Sequence, residues 1–155
     1  MAGFTNRGKY RIVAEAFTSG AAGFQLSSGY YLHLCTSGNI PDADTNTLTG
    51  LTQIVPGNGY SETGRFVPRS TIGFTGTVED DTLDFGYVVM QNVVFTAAGG
   101  TLPAGGSGIS FAVLTNTGDV AGNRDVLCYW NLSGQFYVSD AQTFTVQNGR
   151  LALTE

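Results

Sequence analysis

The chain has 155 residues, a formal net charge of −5 and only 12% charged side chains, about half the usual share for soluble domains. Its length predicts a single domain over residues 1–155 that can bury a core without a disulfide or a metal. A negative net charge without a basic stripe argues against nucleic acid and membranes as partners, and no run approaches the roughly 18 apolar residues of a membrane span.

The first predicted element is a short N-terminal α-helix. Apolar residues recur with the i, i+3, i+4, i+7 spacing of one helix face at Tyr10, Val13, Ala14 and Phe17. We expect this helix over about residues 8–18, with Asn6 as its cap. The preceding residues, 1–8, are predicted to form an N-terminal arm.

The period of the pattern then changes from a helical one to two. Residues 31–36 alternate, which predicts a strand with Leu32 and Leu34 on one face and Tyr31, His33 and Cys35 on the other. A long loop rich in Pro, Asp, Thr, Asn and Gly follows over residues 39–64. A loop of this length in a compact domain is usually functional or part of an interface.

Two short strand candidates follow the long loop, at residues 66–70 and 71–78. Pro68 cannot donate a ladder hydrogen bond, so the first candidate is expected at the edge of a sheet.

The second half of the chain contains more alternating runs. They are centred on residues 83–89, 93–95, 109–113, 126–132, 136–138, 144–146 and 151–153. Gln91 and Asn92 are expected to form a bulge within a continuous strand, and Asn148-Gly149 is typical of a two-residue type I′ hairpin turn.

Seven to nine strands with regularly spaced turns predict an all-β protein, an antiparallel β-sandwich. The strand count and the long connections favour a jelly roll, although the period and the spacing also fit an immunoglobulin-like sandwich.

Few side chains are suited to proton transfer. His33 is the single histidine, and Cys35 shares its strand face. Residues two apart on a strand lie about 7 Å from each other, too far to share a proton. We therefore interpret His33 as a packed strand residue, and Cys35 and Cys128 as buried, reduced thiols.

The single acidic cluster consists of Glu79, Asp80, Asp81 and Asp84. It lacks the spacing of an EF-hand and the facing carboxylates of a glycosidase, so a solvated turn is predicted. No phosphate-binding loop, zinc spacing or nucleophile elbow is present in the sequence. We expect a protein that is not an enzyme, with no catalytic residue, no cofactor and no metal.

Four aromatic residues raise the alternative of a sugar-binding platform: Tyr30, Tyr31, Tyr129 and Trp130. Trp130 shares its strand face with Val126 and Cys128 and is expected in the core. Tyr129 points to the other face and is the better surface candidate.

Three stretches together carry a family resemblance. They are Asn-Arg-Gly-Lys-Tyr-Arg at 6–11, the loop from Ala-Asp-Thr-Asn-Thr-Leu at 43–48 to Pro-Gly-Asn-Gly-Tyr at 56–60, and Leu-Ala-Leu-Thr-Glu at 151–155. The chain resembles the small head decoration, or capsid cement, proteins of tailed bacteriophages.

The resemblance implies a jelly-roll protein made in the cytoplasm of a bacterial host and located on the outer capsid surface of the virion. It implies binding to the major capsid protein, whose lattice it stabilises, and self-association as a homodimer or homotrimer. Tail and fibre modules share this composition, so the alternative is a tail- or fibre-associated module that recognises host surface glycan.

Such a role requires groups that contact a partner, and the arm and the 39–64 loop are the expected segments. The apolar anchors are predicted to be Phe4, Tyr60 and Phe66. The groups expected to pair with acidic residues of the shell are Arg7, Arg11, Arg65 and Arg69. Arginine and aromatic side chains are the types that buried interface cores favour.

Overall fold

The alternating runs form ten strands in the computed structural model, which describes residues 2–9, 12, 28–75, 78–80, 85–117 and 123–153. The strands are β1 (Ala2–Phe4), β2 (Gly29–Cys35), β3 (Arg65–Pro68), β4 (Val78–Asp80), β5 (Phe85–Met90), β6 (Val93–Thr96), β7 (Ile109–Thr115), β8 (Val126–Phe136), β9 (Thr143–Val146) and β10 (Gly149–Leu153). Every strand pair is antiparallel. The predicted all-β, antiparallel fold with one short α-helix is confirmed, and the jelly-roll topology stays a prediction.

The first layer is a five-stranded sheet with the order β1-β8-β7-β2-β3. Strand β3, which contains Pro68, lies at one edge, as predicted. The other edge is β1, in which Ala2 pairs with Trp130 and Phe4 with Cys128. The arm predicted for residues 1–8 is therefore wrong for the described residues, because backbone pairing with β8 fixes the chain there.

The second layer is a bent antiparallel ribbon. Gly149 pairs with Met90 and Val146 pairs with Val93, so one register continues from the β10–β5 pair into the β9–β6 pair. At the bend, residues 91–92 between β5 and β6 and residues 147–148 between β9 and β10 lie outside the ladder. Because the same number of residues is unpaired on each side, the bulge predicted at 91–92 is not formed. Strand β4 pairs with the other side of β5.

The hairpin predicted at Asn148-Gly149 is wrong. A type I′ turn needs positive φ at both central residues. Asn148 has φ 52°, whereas Gly149 is not among the residues with positive φ and begins β10. A Cβ at position 149 would lie 2.9 Å from the Met90 side chain, so the glycine serves close packing between strands.

The strand predicted for residues 71–78 is a turn over residues 71–73. The N–H groups of Gly73 and Phe74 both donate to the carbonyl of Ser70, at 3.0 and 2.8 Å. Only Phe74 forms a β-bridge, to Met90, and strand β4 begins later, at Val78.

The main core lies between the sheet and the ribbon. Its buried side chains include Leu32, Leu34, Met90, Phe95, Ile109, Leu114, Cys128 and Trp130. The indole N–H of Trp130 donates to the carbonyl of Arg150 across the two layers, at 3.3 Å. The core position predicted for Trp130 is confirmed.

A second core covers the opposite face of the sheet. Leu48 and Leu51 from the long loop, which contains the 3-10 helix Leu48–Gly50, pack there with Cys35, Phe111, Val113 and Val126. The two predicted faces of β2 are confirmed, and both are buried because the loop folds over one of them. Cys35 and Cys128 are free, buried thiols, as predicted.

The α-helix begins at residue 6, two residues earlier than predicted, and includes residues 6–9 and Ile12 of the described chain. Its cap is Thr5 and not Asn6, because Thr5 Oγ1 accepts the N–H of Gly8 at 2.9 Å. Residues 10, 11 and 13–18 of the predicted helix lie outside the described residues. Among the described residues, no helix has the length and the apolar character to cross a bilayer.

Candidate protein-interaction surface

Two of the predicted interface anchors belong to the interior. Phe4 is half-buried and packs against the main core from β1. Tyr60 is buried, and its hydroxyl donates to Gln53 Oε1 at 2.6 Å and accepts the N–H of Leu34 at 3.2 Å. The prediction that Tyr60 is a surface anchor is wrong, because its ring and its hydroxyl are both satisfied inside the protein.

Arg7 has an internal partner. Its Nε lies 3.2 Å from Oδ1 of Asp125, a buried carboxylate that also accepts the side-chain amide of Asn116. This ion pair ties the start of the helix to the residue before β8, so the predicted role of Arg7 in pairing with a shell is not supported. Arg11 lies outside the described residues.

The structure brings the other three predicted residues together at the free edge of the first sheet. Arg65 and Phe66 belong to β3, Arg69 follows it directly, and all three are exposed. Two exposed apolar residues accompany them, Ile72 at 78% exposure and Val94 at 41%. We call these five residues, Arg65, Phe66, Arg69, Ile72 and Val94, the β3-edge surface.

Sequence reasoning missed Ile72 and Val94. The run Val93-Val94-Phe95 held a signal, since three consecutive apolar residues in a strand require one to point away from the core. Ile72 had no such signal, because it was placed in a strand that is in fact a turn.

Two adjoining grooves run along this edge, with volumes of about 330 and 240 Å³. Arg65 and Val94 line both grooves, and Phe66 and Ile72 line the smaller one. The part of the β3-edge surface around Arg65, Ile72 and Val94 is thus concave, whereas Arg69 lines neither groove.

Packing from beneath holds the ring of Phe66 in place. It meets the ring of Tyr31 edge-on, with centroids 5.4 Å apart. The guanidinium of Arg124 lies over Tyr31 at 3.9 Å from the ring centroid. Gly29 leaves the space that the Phe66 ring occupies, because a Cβ at position 29 would lie 2.6 Å from that ring.

The turn that presents Ile72 is fixed at both ends. Its first half is closed by the two hydrogen bonds to the Ser70 carbonyl. Its second half is held against β5, where Gln91 N–H donates to the carbonyl of Gly73 at 2.8 Å and Thr75 N–H donates to Val89 at 2.8 Å. An apolar side chain is therefore held in solvent by an ordered backbone.

The two arginines of the surface have no ionic partner of their own chain in the ranges that the structure describes. Glu62, the nearest acidic residue along the sequence, is exposed in the preceding turn and forms no ion pair with Arg65 there. Both guanidinium groups are consequently available to carboxylates of a partner.

His33, the single candidate for proton transfer, is fully buried in a hydrogen-bonded network. Its Nδ1 lies 3.1 Å from Gln53 Oε1, and its Nε2 lies 3.1 Å from Thr115 Oγ1. Because Gln53 Oε1 also accepts the Tyr60 hydroxyl, His33 donates from Nδ1 and accepts at Nε2.

The electrostatics of His33 and Cys35 favour their neutral forms. Burial lowers the pKa of His33 to about 4, and burial raises the pKa of Cys35 to about 12. Neither a thiolate nor an imidazolium is favoured at neutral pH, so this pair is suited to packing and not to nucleophilic chemistry.

The acidic cluster lies mostly outside the described residues. Glu79 and Asp80 contribute backbone to β4, and neither their side chains nor Asp81 and Asp84 are described. In the part of the chain that is described, no group of three or more His, Cys, Asp and Glu residues could hold a metal ion.

The aromatic residues proposed for sugar binding do not converge. Tyr129 is half-buried against the second core, and Tyr30 packs on Phe74 at a centroid distance of 5.6 Å beside the main core. They lie on opposite faces of the first sheet. Tyr129 therefore lacks the exposure and the neighbours of a surface platform.

A larger apolar cavity of about 480 Å³ lies beside the main core, lined by residues such as Phe4, Ile12, Phe74 and Leu151. No described hydrogen bond aims the polar residues of its lining, among them Arg69 and Thr71, at a common point. The residues on either side of Ile12 lie outside the described ranges. We assign it no ligand.

Comparisons of the chain with protein-family models, with curated proteins and with solved structures found no match. The residues of the β3-edge surface and the resemblance carried by the sequence are therefore the basis for a function.

Proposed function

We propose that this chain is a non-enzymatic structural protein of a phage virion that binds the outer surface of the capsid and stabilises the major capsid protein lattice. The capsid as partner comes from the sequence resemblance. The mode of binding comes from the β3-edge surface. The observation that carries the proposed mode of binding is Ile72, an isoleucine that is 78% exposed on a hydrogen-bonded turn beside a groove.

The stiffness of the surface supports a docking role. Ordering a flexible side chain at an interface costs about 0.5–1.5 kcal/mol. Ile72 and Val94 are β-branched and have few rotamers to lose, and the ring of Phe66 already rests on Tyr31. Most of the ordering cost is therefore met when the protein folds, before it meets a partner.

The two-core architecture also supports a mechanical role. All seven residues of β7 are buried, because the ribbon covers one face of the sheet and the long loop covers the other. A sheet enclosed on both faces is a rigid body, which suits a protein that braces neighbouring subunits.

Self-association as a homodimer or homotrimer is part of the proposal. A surface of five residues supplies a modest contact, and linking two or three copies converts modest contacts into high avidity on a repeating lattice. The order of the oligomer is to be measured by light scattering at several concentrations.

The proposal is tested by adding the purified protein to capsid shells that lack it and measuring their resistance to heat. We expect the wild-type protein to bind and to raise the disassembly temperature. Ile72→Asp should bind at least tenfold more weakly. Ile40→Asp is the matched control, because Ile40 is 70% exposed in the long loop and lies outside the β3-edge surface.

Shells that remain equally heat-sensitive with and without bound wild-type protein would contradict the stabilising role. Counting copies per virion by quantitative mass spectrometry separates the alternative. A cement protein is present in many copies, whereas a tail- or fibre-associated glycan-binding module is present in few and binds host cells.

A further inference from the structure

We infer that the β3-edge surface takes a protein segment in which an apolar side chain is flanked by carboxylates, and that side chains hold this segment without strand addition. The inference rests on the proposed function and specifies the chemistry of the partner, a segment of the major capsid protein, at the same surface.

The backbone of β3 is a poor template for another strand. The Arg69 N–H donates to the Ser28 carbonyl at 2.8 Å, which identifies the odd-numbered residues of β3 as those bonded to β2. Phe66 and Pro68 therefore direct their backbone groups to the free edge. Pro68 has no N–H, and its carbonyl accepts the N–H of Ser70 at 2.9 Å.

Within Arg65–Pro68, Phe66 alone offers both an N–H and a C=O to a partner strand. A β-ladder needs several such pairs in succession, and edges protected in this way resist strand addition. Affinity at this edge must come from side chains.

The charge of the surface specifies the partner. Arg65 and Arg69 lie four positions apart, roughly 13 Å along an extended chain. The protein has a net charge of −5, so Arg65 and Arg69 are local positive charges on an acidic molecule. No carboxylate of the described chain pairs with them. Guanidinium groups bind carboxylates in a planar, two-pronged geometry.

The apolar members fix what lies between the carboxylates. Ile72 and Val94 line one groove together with Arg65. An aliphatic side chain seated there removes apolar surface from water on both partners. A segment that places an apolar residue in this groove and carboxylates within reach of Arg65 and Arg69 matches the surface.

Two probes test the inference. The first is the undecorated shell, with binding measured by cosedimentation at increasing NaCl concentration. Arg65→Glu and Lys9→Glu are compared, because each lowers the net charge by two, from −5 to −7, and Lys9 is exposed on the helix. We expect Arg65→Glu to weaken binding at least tenfold and to flatten the salt dependence.

In the same assay Lys9→Glu should bind like the wild type, and Arg65→Lys should bind with an affinity between those of the wild type and Arg65→Glu, because lysine keeps the charge but not the two-pronged geometry. Cooperative unfolding of each variant shows that it is folded. Wild-type binding with an affinity and a salt dependence that Arg65→Glu leaves unchanged would overturn the inference while leaving the capsid role intact.

The second probe is a synthetic peptide, Asp-Thr-Leu-Thr-Asp with blocked ends, titrated into the protein and followed by NMR. We expect shifts confined to the methyl groups of Ile72 and Val94, and none with Lys-Thr-Leu-Thr-Lys. If the wild type does not bind shells, the peptide titration alone tests the inference. Peptide binding at those methyls supports the inference although the capsid role fails, and its absence overturns both.

Discussion

The exposed ring of Phe66 stands edge-on to the half-buried ring of Tyr31, with their centroids 5.4 Å apart. Tyr31 in turn lies under the guanidinium of Arg124, whose Nη1 donates to the carbonyl of Thr63 at 2.7 Å. A surface residue and a buried cation are thus connected through one aromatic ring. The position of Phe66 in the β3-edge surface therefore depends on the residues packed beneath it.

Replacing Tyr31 tests this dependence. Tyr31→Ala should lower the free energy of unfolding by about 2 kcal/mol, since it removes the contacts of the ring with Phe66 and Arg124 and leaves a cavity. Tyr137→Ala is the control, because Tyr137 is an aromatic residue with 59% exposure. Urea unfolding measures both. Equal losses in the two variants would show that the stack contributes nothing specific.

The buried His33 makes stability depend on pH. Burial lowers its pKa from 6.5 to about 4 in the folded protein, so the unfolded chain binds more protons between these values. Stability is complete above pH 6.5 and falls as the pH drops towards 4. Between pH 7 and pH 5 the expected loss from this group is about 2 kcal/mol.

Urea unfolding of the wild type and of His33→Gln at pH 7, 6 and 5 checks this expectation. Gln keeps hydrogen-bonding capacity and does not titrate. The variant is expected to be less stable at pH 7 but nearly flat over this range. A variant with the same slope as the wild type would assign the pH dependence to other groups.

Much of the fold could be predicted from local patterns. The two faces of β2, the core position of Trp130 and the edge position of β3 all follow from side-chain alternation or from the missing N–H of Pro68. These features depend on neighbours in sequence. The capping residue was misassigned by one position, because Thr5 and Asn6 are adjacent and both are residue types that cap helices.

What could not be predicted depends on pairing between distant segments. Asn148-Gly149 has the composition of a hairpin turn, yet β10 pairs with β5, about 60 residues earlier in the chain, and the dipeptide forms a bend. Likewise, the sequence indicated Arg65 and Phe66 as interface residues but not Val94. These residues lie close together because of the way the ribbon packs against the edge of the sheet.

The two thiols are expected to be unreactive in the native protein. Burial raises the pKa of Cys35 to about 12 and also raises the pKa of Cys128, so the thiolate population at pH 8 is small. A thiol-specific aromatic disulfide reagent should label both only as fast as the protein unfolds. Ala104→Cys, at an exposed loop position, provides a rapidly reacting control. Prompt labelling of a native thiol would contradict the closed cores.

The bend of the ribbon is expected to require a residue that tolerates left-handed backbone. Asn148 has φ 52°, a region that β-branched residues strongly disfavour. Asn148→Val should therefore lower the free energy of unfolding by about 1–2 kcal/mol, whereas Asn148→Gly should change it by much less. Because the side chain of Asn148 is exposed, the comparison isolates the backbone. If urea unfolding shows equal stability for the two variants, the bend does not depend on this dihedral angle, and the continuous register of β5–β6 against β9–β10 must hold it alone.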